Sequence, residues 1–247
     1  MLHCGCLLAW LVMTAVVAAE PAAANAKEAK PAMLPRTHQL IAARQPVRVV
    51  LYGDSISEVG RSPNWHGGAT APGANWGAVL GQRLGAAYPG VAFPVHHFGI
   101  GGQNSYEGLG RLDGLAAFKP DLVLVAFGAN DCAYHFLLPA ETKLALTALA
   151  TGIRERYGAD VVLVGTGGDN PLAPFFQHLA ETVAAQRAAA EAARVPFVDL
   201  RTAMMAATAN GQRWAEYHVN AGNCHPTDAG HAVWAAAALA VIREALR

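Results

Sequence analysis

Short runs of β-branched and other apolar residues alternate with longer helix-like segments, and this alternation limits the fold more than any other feature of the sequence. The apolar runs are residues 47–52, 91–98, 122–127, 161–165 and 196–200. Segments typical of helices lie between and after them, at residues 76–88, 105–118, 140–157, 175–193 and 227–246. Apolar strands that alternate with helices form a parallel sheet covered on both faces. The sequence therefore predicts a single doubly wound α/β domain, with a mainly parallel five-stranded sheet and helices on both faces.

Composition agrees with a globular domain that has no charged binding face. Of the 247 residues, 53% are hydrophobic, which is enough for a core on both sides of a sheet. The formal charges cancel, with 18 Lys and Arg residues against 18 Asp and Glu residues, and no run of like charge stands out. A nucleic-acid-binding chain needs clustered cations to neutralise phosphates, so we expect no nucleic-acid partner.

The N-terminal segment is typical of an export signal. An apolar run at residues 7–17 precedes small residues, with candidate cleavage points after Ala19 and Ala26, and the run is short for a membrane span. No Lys or Arg precedes this run, so an uncleaved N-terminal anchor is the alternative. We predict a signal peptide at residues 1–26, a flexible linker at 27–45 and one domain at 46–247. The predicted location is periplasmic or secreted, with no membrane contact beyond the export signal.

Chemically useful residues stand where the predicted strands end. Gly53-Asp54-Ser55 follows the first strand, Gly101-Gly102 follows the second, and Gly128-Ala129-Asn130-Asp131 follows the third. His225-Pro226 directly precedes the last helix. Because loops at the carboxyl ends of parallel strands converge on one crevice, we expect these residues to lie close together.

Each of these residue types suits one part of nucleophilic catalysis. A serine in a tight strand-to-helix turn can expose its hydroxyl as a nucleophile, and a histidine held before a helix can act as its base. Glycine N–H groups and an asparagine amide can hold an oxyanion. Each motif also has an ordinary structural interpretation: a strand-ending turn for Ser55, a flexible turn for the glycines, an Asx turn for Asn130 and a structural role for His225.

Other binding motifs are missing from the sequence. Asn104 and Asn170 stand where a dinucleotide-binding fingerprint requires glycine, and there is no Gly-Lys-Ser/Thr phosphate loop. His96-His97 and His231 do not have zinc-site spacing, so we expect no metal. The aromatic residues that follow the nucleophile turn suit either a sugar-binding cleft or core packing, and they are Trp65, His66 and Trp76.

Together, and in this order, the four motifs resemble the SGNH (GDSL-type) hydrolases. Gly53-Asp54-Ser55 is similar to block one of that family, Gly102 to the block-two glycine, residues 128–131 to block three and His225-Pro226 to block five. The resemblance covers the chain from about residue 47 to its end and implies the flavodoxin-like SGNH hydrolase fold. It also implies Ser55 as nucleophile, His225 as base, and an oxyanion hole made by the N–H groups of Ser55 and Gly102 and the amide of Asn130. The family needs no metal or organic cofactor.

One position departs from the family pattern. The family has an aspartate three residues before the histidine, and this sequence has Gly222 there. The group that orients the imidazole of His225 could then be a main-chain carbonyl, Asn223 or a displaced carboxylate such as Glu216. We expect a Ser–His pair oriented by a neutral acceptor.

The resemblance implies an exported serine esterase that acts through an acyl-enzyme intermediate on a small-molecule or carbohydrate ester. Removal of small O-acetyl groups from carbohydrate is the leading hypothesis. The alternatives are a lipase or thioesterase of the same family, and a catalytically silent carbohydrate-binding protein on the same fold, which the missing aspartate favours.

Two cysteines remain once the signal segment is removed, and their positions suggest a disulfide. Cys132 lies two residues beyond Asn130, and Cys224 directly precedes His225, so two converging loops carry one thiol each. An oxidising compartment favours a bridge between Cys132 and Cys224. The alternative is two buried free thiols that pack as small apolar groups.

Overall fold

The computed structural model describes Met1 and residues 33–133, 137–220 and 222–247. The chain divides into two units, Met1–Lys30 and Pro31–Arg247, and the fold described below belongs to the second. Met1 apart, the predicted signal peptide at residues 1–26 lies outside the described residues. The first part of the predicted linker, residues 27–32, also lies outside them.

The strands form one fully parallel sheet. They are β1 (Val49–Gly53), β2 (Val95–Gly99), β3 (Leu122–Ala126), β4 (Asp160–Val164) and β5 (Phe197–Val198), in the spatial order β2-β1-β3-β4-β5. This is the flavodoxin-like order of a doubly wound sheet. Strand β2 is added on one side of β1, and the later strands are added on the other side, so the strand order reverses between β1 and β3. The predicted five-stranded fold is confirmed.

Helices connect the strands and cover both faces of the sheet. They are α1 (Pro35–Ala42), α2 (Trp76–Ala87), α3 (Ser105–Gly110), α4 (Ala129–Ala133), α5 (Pro139–Tyr157), α6 (Leu179–Ala193), α7 (Leu200–Ala207), α8 (Trp214–Tyr217) and α9 (Asp228–Ala245), with 3₁₀ turns at Pro72–Ala74 and Leu112–Phe118. Within the described part of the chain, no helix is long and apolar enough to cross a lipid bilayer.

The core consists of two layers, one on each face of the sheet. Val49 and Leu51 of β1 face a cluster that includes residues of α2 and α9, whereas Val50 and Tyr52 face a cluster that includes residues of α5 and α6. This alternation follows from the two-residue period of a strand, which sends successive side chains to opposite faces. Since both faces are covered, β1 is buried along its whole length.

The predicted flexible linker is wrong in its described part. Residues 35–42 form α1, and Leu34 just before it is fully buried. The N–H of Thr37 donates to Asp160 Oδ2 at 2.7 Å, and Arg36 forms an ion pair with the buried Asp121, 2.7 Å between the charged atoms. Leu40 and Ile41 also pack against the core, so both apolar contacts and hydrogen bonds to buried carboxylates fix this segment to the domain.

Candidate active site

The turn after β1 presents Ser55 at the carboxyl edge of the sheet. The N–H of Ile56 donates to the side chain of Asp54 at 3.0 Å, and the N–H of Ser57 donates to its carbonyl at 3.1 Å, which closes a tight turn. Gly53 is required before this turn, because a Cβ there would lie 2.4 Å from the carbonyl oxygen of Ala126. Burial raises the pKa of the Asp54 carboxyl to about 7. The turn therefore leaves Ser55 half-buried in a cleft while Asp54 is enclosed.

His225 reaches the hydroxyl of Ser55 from the loop before α9. The distance between Ser55 Oγ and His225 Nε2 is 2.7 Å, within the range of a hydrogen bond. The loop is pinned by an antiparallel bridge between His218 and Pro226 and by the N–H of Val219, which donates to the carbonyl of His225 at 3.0 Å. Two residues that are 170 positions apart in the sequence thus form the contact that a nucleophile and its base require.

Asn223 orients the imidazole. His225 Nδ1 donates to Asn223 Oδ1 at 2.5 Å, and the same oxygen accepts from the main-chain N–H of His225 at 2.9 Å. With its proton on Nδ1, the ring turns the lone pair of Nε2 towards the Ser55 hydroxyl. Asn223 was one of the three alternatives that the sequence left open.

The other candidate positions do not orient the ring. Glu216 is exposed and pairs with Arg213, with 2.8 Å between Arg213 Nε and Glu216 Oε1. A Cβ at Gly222 would meet no atom within 4 Å, so this position is open to solvent and carries no group near the imidazole. The orienting acceptor in the structure is therefore a neutral amide two residues before the histidine.

Burial controls the basicity of His225. Loss of solvent around the ring lowers its pKa to about 4. A carboxylate beside the ring would raise the pKa by stabilising the imidazolium, but Asn223 carries no charge. The imidazole is consequently neutral at pH 7 and able to accept a proton.

Gly102 and Asn130 lie in the same cleft as Ser55 and His225. Gly102 has a φ of +78°, a conformation that favours glycine. Asn130 is buried at the start of α4, and its Nδ2 donates to the carbonyl of Gln103 at 2.9 Å. The amide has a second N–H, so this bond fixes the side chain without using all of its donor capacity. The structure brings the four predicted site residues together; their catalytic roles stay predictions.

Arg111 is a structural residue of the site to which sequence reasoning gave no role. Its guanidinium lies 4.5 Å from the ring centres of Tyr52 and Phe98. It donates to the carbonyls of Gly53 at 2.8 Å and Phe98 at 2.9 Å, and to the side chain of Gln103 at 2.5 Å. Arg111 therefore ties the ends of β1 and β2 to the loop that carries Gly102. The sequence shows an arginine after the Gly102 loop, but it does not show which groups the guanidinium binds.

The cleft has a volume of about 580 Å³ and an aromatic rim. Trp65 lines it, donates from its indole nitrogen to the carbonyl of Ser55 at 2.9 Å, and meets the His225 ring edge to face at 4.9 Å. Phe175 lines another part and is 47% exposed. Trp76, by contrast, is fully buried in the core. Of the two tryptophans considered from the sequence, only Trp65 can contact a ligand in the cleft.

The structure has Cys132 and Cys224 as free thiols and not as the predicted disulfide. Both belong to a small apolar cluster with Ala129 and Phe176 beside the cleft. Burial raises the pKa of each thiol to about 12, and the Cys132 thiol donates to the carbonyl of Ala129 at 3.5 Å. The structure therefore matches the alternative, in which two protonated thiols pack as small apolar groups.

The remaining histidines noted in the sequence make structural contacts. His231 Nδ1 accepts from the N–H of Trp76 at 3.1 Å, and its Nε2 lies 3.2 Å from the carbonyl of Gly67. His97 Nδ1 lies 3.1 Å from the carbonyl of Ser57. Among the described residues, no group of three or more His, Cys, Asp or Glu side chains is arranged to hold a metal ion.

Comparison with known proteins gives a family and a set of similar folds. The model of the GDSL-like lipase/acylhydrolase family matches residues 51–233. No curated protein sequence matches the chain at a significant level. Similar solved structures include a two-domain esterase active on acetylated mannans, with 20% identity and a TM-score of 0.67 over 87% of this chain. This chain covers 53% of that esterase, or about half its length.

Two further structures are similar over most of their own length. An acetylxylan esterase from Geobacillus stearothermophilus has 22% identity and a TM-score of 0.63, covering 79% of this chain and 94% of its own. A lipase/acylhydrolase from Enterococcus faecalis has 22% identity and a TM-score of 0.61, covering 80% of this chain and 96% of its own. At such identities the structures show the fold, while the family model covers most of the domain that carries the Ser55–His225 pair. The chain therefore belongs to the GDSL-like lipase/acylhydrolase family, a family of hydrolases that act on ester bonds.

Proposed function

We propose that this chain is an exported serine esterase that hydrolyses carboxylic esters through an acyl-enzyme, and that it removes small O-acetyl groups from carbohydrate. The 2.7 Å contact between Ser55 Oγ and His225 Nε2, inside a cleft that also holds Gly102 and Asn130, carries the proposal. A nucleophile, an oriented base and oxyanion donors in one open cleft are the parts that ester hydrolysis requires.

In the acylation step, Ser55 Oγ attacks the carbonyl carbon of the ester and its proton moves to His225 Nε2. The carbonyl oxygen becomes an oxyanion, held by the N–H groups of Ser55 and Gly102 and by the amide of Asn130. The bond to the alcohol then breaks, and the imidazolium gives its proton to the departing oxygen. The acyl group remains on Ser55.

Deacylation repeats these steps with water as the nucleophile. His225 takes a proton from the water as the oxygen attacks the acyl carbon, and a second oxyanion forms in the same place. Ser55 leaves with the proton from the imidazolium, and the carboxylic acid is released. Asn223 accepts from Nδ1 throughout, so the ring keeps Nε2 directed at the reacting oxygen.

The missing aspartate is compatible with catalysis in this arrangement. An amide oxygen selects the required tautomer and orientation, although it stabilises the imidazolium less than a carboxylate does. Burial also keeps the base unprotonated well below neutral pH. These two features support an enzyme rather than the silent binding protein that the missing aspartate would otherwise favour.

The carbohydrate part of the proposal rests on the cleft. Trp65 and Phe175 border the space around Ser55, and aromatic side chains with one exposed face can pack against the apolar face of a sugar ring. Of the similar structures, one is an esterase described as active on acetylated mannans and another is named an acetylxylan esterase. A long-chain lipase would need an extended apolar groove, whereas this cleft mixes Ser, Glu and Asn side chains with its aromatic residues.

One set of assays tests the proposal. The protein should hydrolyse para-nitrophenyl acetate faster than the butyrate and octanoate esters, and it should release acetate from acetylated mannan or xylan. Release of acetate from acetylated peptidoglycan should be measured in parallel, as a second carbohydrate substrate. Ser55→Ala should abolish turnover and leave the fold intact, because only a small hydroxyl is lost. A folded Ser55→Ala variant with full activity would refute the serine mechanism, and preference for octanoate would favour the lipase alternative.

A further inference from the structure

Glu58 is a buried carboxylate in the cleft that takes no part in acylation or deacylation as proposed. It lies three residues after Ser55, and its N–H donates to the carbonyl of Ser55 at 3.4 Å. The residue is 3% exposed and lines the cleft. Among the described residues, no Arg, Lys or His forms an ion pair with it. Burial of a carboxylate without a cation costs free energy unless hydrogen bonds replace its contacts with water. The groups that donate to Glu58 therefore show which parts of the cleft it holds.

The two carboxylate oxygens of Glu58 bind two different loops. Oε2 accepts from the main-chain N–H of Gly101 at 2.5 Å, and Oε1 accepts from the hydroxyl of Ser62 at 3.0 Å. Gly101 directly precedes the oxyanion residue Gly102, and Ser62 belongs to the rim segment that continues to Trp65. One side chain thus joins the nucleophile turn, the oxyanion loop and the rim of the cleft.

The start of the oxyanion loop packs closely against Glu58. A Cβ at Gly99 would lie 2.4 Å from the N–H nitrogen of Glu58, and a Cβ at Gly101 would lie 3.0 Å from its carboxylate. The loop therefore rests directly on the backbone and side chain of Glu58. Ile100 anchors the start of the loop through its N–H, which donates to the carbonyl of Gly53 at 3.1 Å. Gly101 is the next N–H along the chain and the last before the proposed oxyanion donor.

We propose that Glu58 is a positioning residue that fixes the Gly101–Gly102 backbone so that the Gly102 N–H is directed at the oxyanion. This inference rests on the proposed ester hydrolysis. Glu58 does not touch the reacting atoms; it acts through the Gly101 peptide. Its negative charge is not the useful property, since a charge near an oxyanion opposes the transition state. What matters is an acceptor oxygen at the position of Oε2.

The experiment separates the acceptor from the charge. Glu58→Gln keeps an amide oxygen that can accept from Gly101 and removes the charge, whereas Glu58→Ala removes both. With para-nitrophenyl acetate, Glu58→Ala should lower kcat by roughly 10- to 100-fold, less than the loss of an oxyanion donor itself, with KM changed by less than about 3-fold. Glu58→Gln should restore kcat to within about 5-fold of the parent protein. Glu155→Ala, an exposed glutamate on α5, is the matched control and should leave both constants unchanged.

A second measurement follows the contact without turnover. In the parent protein, the amide proton of Gly101 should resonate downfield in a ¹H–¹⁵N spectrum because it donates to a carboxylate, and Glu58→Ala should move it upfield. A parent protein inactive on every ester, with the Gly101 signal as described, would refute the proposed function and leave the contact intact. Full kcat in Glu58→Ala, or a Glu58→Gln variant as impaired as Glu58→Ala, would overturn the positioning role. If Glu58→Ala does not fold, Glu58→Gln alone tests the role: kcat within about 5-fold of the parent with the Gly101 amide proton still downfield supports it, and a larger loss of kcat overturns it.

Discussion

The two sides of the cleft are held by different kinds of interaction. On the oxyanion side, which comprises residues 53–58, 101–104 and 128–131, the anchors include ionisable side chains: Arg111 binds the carbonyls of Gly53 and Phe98, and Asp131 accepts from the N–H and the hydroxyl of Ser105 at 2.9 and 2.6 Å. On the base side, the loop at residues 218–220 and 222–226, the anchors are neutral. Asn223 binds the ring of His225, and His218 stacks on Trp214 with 3.5 Å between ring centres.

The difference follows from how each side is attached to the sheet. The oxyanion side consists of loops that leave β1, β2 and β3, so buried charged groups can join strands that are distant in sequence. The base side is a local loop that leads into α9, and most of its contacts lie within a few residues. Burial there lowers the pKa of both His218 and His225 to about 4, which keeps that side uncharged at neutral pH. Long-range contacts thus hold the oxyanion side, whereas a local amide orients the base.

Among substitutions on the two sides of the cleft, loss of an oxyanion donor should lower kcat the most. We expect Asn130→Ala to lower kcat by roughly 100- to 1000-fold with little change in KM, because the amide acts on the transition state rather than on the bound ester. Steady-state kinetics with para-nitrophenyl acetate measure this. Asn130→Asp, which keeps the shape but removes the donor, should be at least as impaired. A loss confined to KM would instead assign Asn130 to substrate binding.

Loss of the orienting group on the base side should cost less. Asn223→Ala leaves the imidazole with its contacts to Ser55 and Trp65 but without an acceptor for Nδ1, so we expect kcat to fall by roughly 10- to 100-fold, part of the usual contribution of general base catalysis. This loss should be smaller than that of Asn130→Ala under the same conditions. An equal or larger loss would show that the base side is as critical as the oxyanion side.

Charge on the base side should be visible in the pH profile. In the parent protein, kcat/KM should fall as pH drops through about 4, because only then does His225 become protonated. Asn223→Asp places a carboxylate beside the ring, which raises the pKa of the imidazole and should move this acidic limb to higher pH. Activity at pH 5 relative to pH 8 should therefore decrease in the variant. An acidic limb near pH 6.5 in the parent would mean that burial does not control the base.

The smallest effect is expected for Glu216, the carboxylate that the sequence offered as a displaced orienting group. Its side chain is exposed and pairs with Arg213, and surface ion pairs of this kind contribute little. Glu216→Ala should retain kcat/KM to within about 2-fold when assayed beside Asn223→Ala. Inactivity of a folded Glu216→Ala protein would mean that a carboxylate orients His225 and that the base side is not held by neutral groups alone.

Sequence reasoning located the main elements to within a few residues but misjudged the segments that depend on distant contacts. The predicted strand at residues 122–127 is β3 at Leu122–Ala126, and the predicted last helix at 227–246 is α9 at Asp228–Ala245. The first is a continuous apolar run and the second is a long segment rich in Ala, Val, Leu and Ile. The helix α1 is short and was predicted as linker; Asp121 and Asp160, far along the chain, and the apolar core together hold it in place.

For the site, the sequence by itself determined which residue types follow each strand, and hence Ser55, Gly102, Asn130 and His225 as candidates. This worked because the carboxyl ends of parallel strands must meet at one edge of the sheet. Only the tertiary structure decided which acceptor orients His225, that the two cysteines pack as free thiols, and that Glu58 and Arg111 hold the oxyanion loop. Those outcomes depend on distances of a few ångströms between particular side-chain and main-chain atoms, some of them neighbours in the chain and some far apart, and strand order alone does not fix such distances.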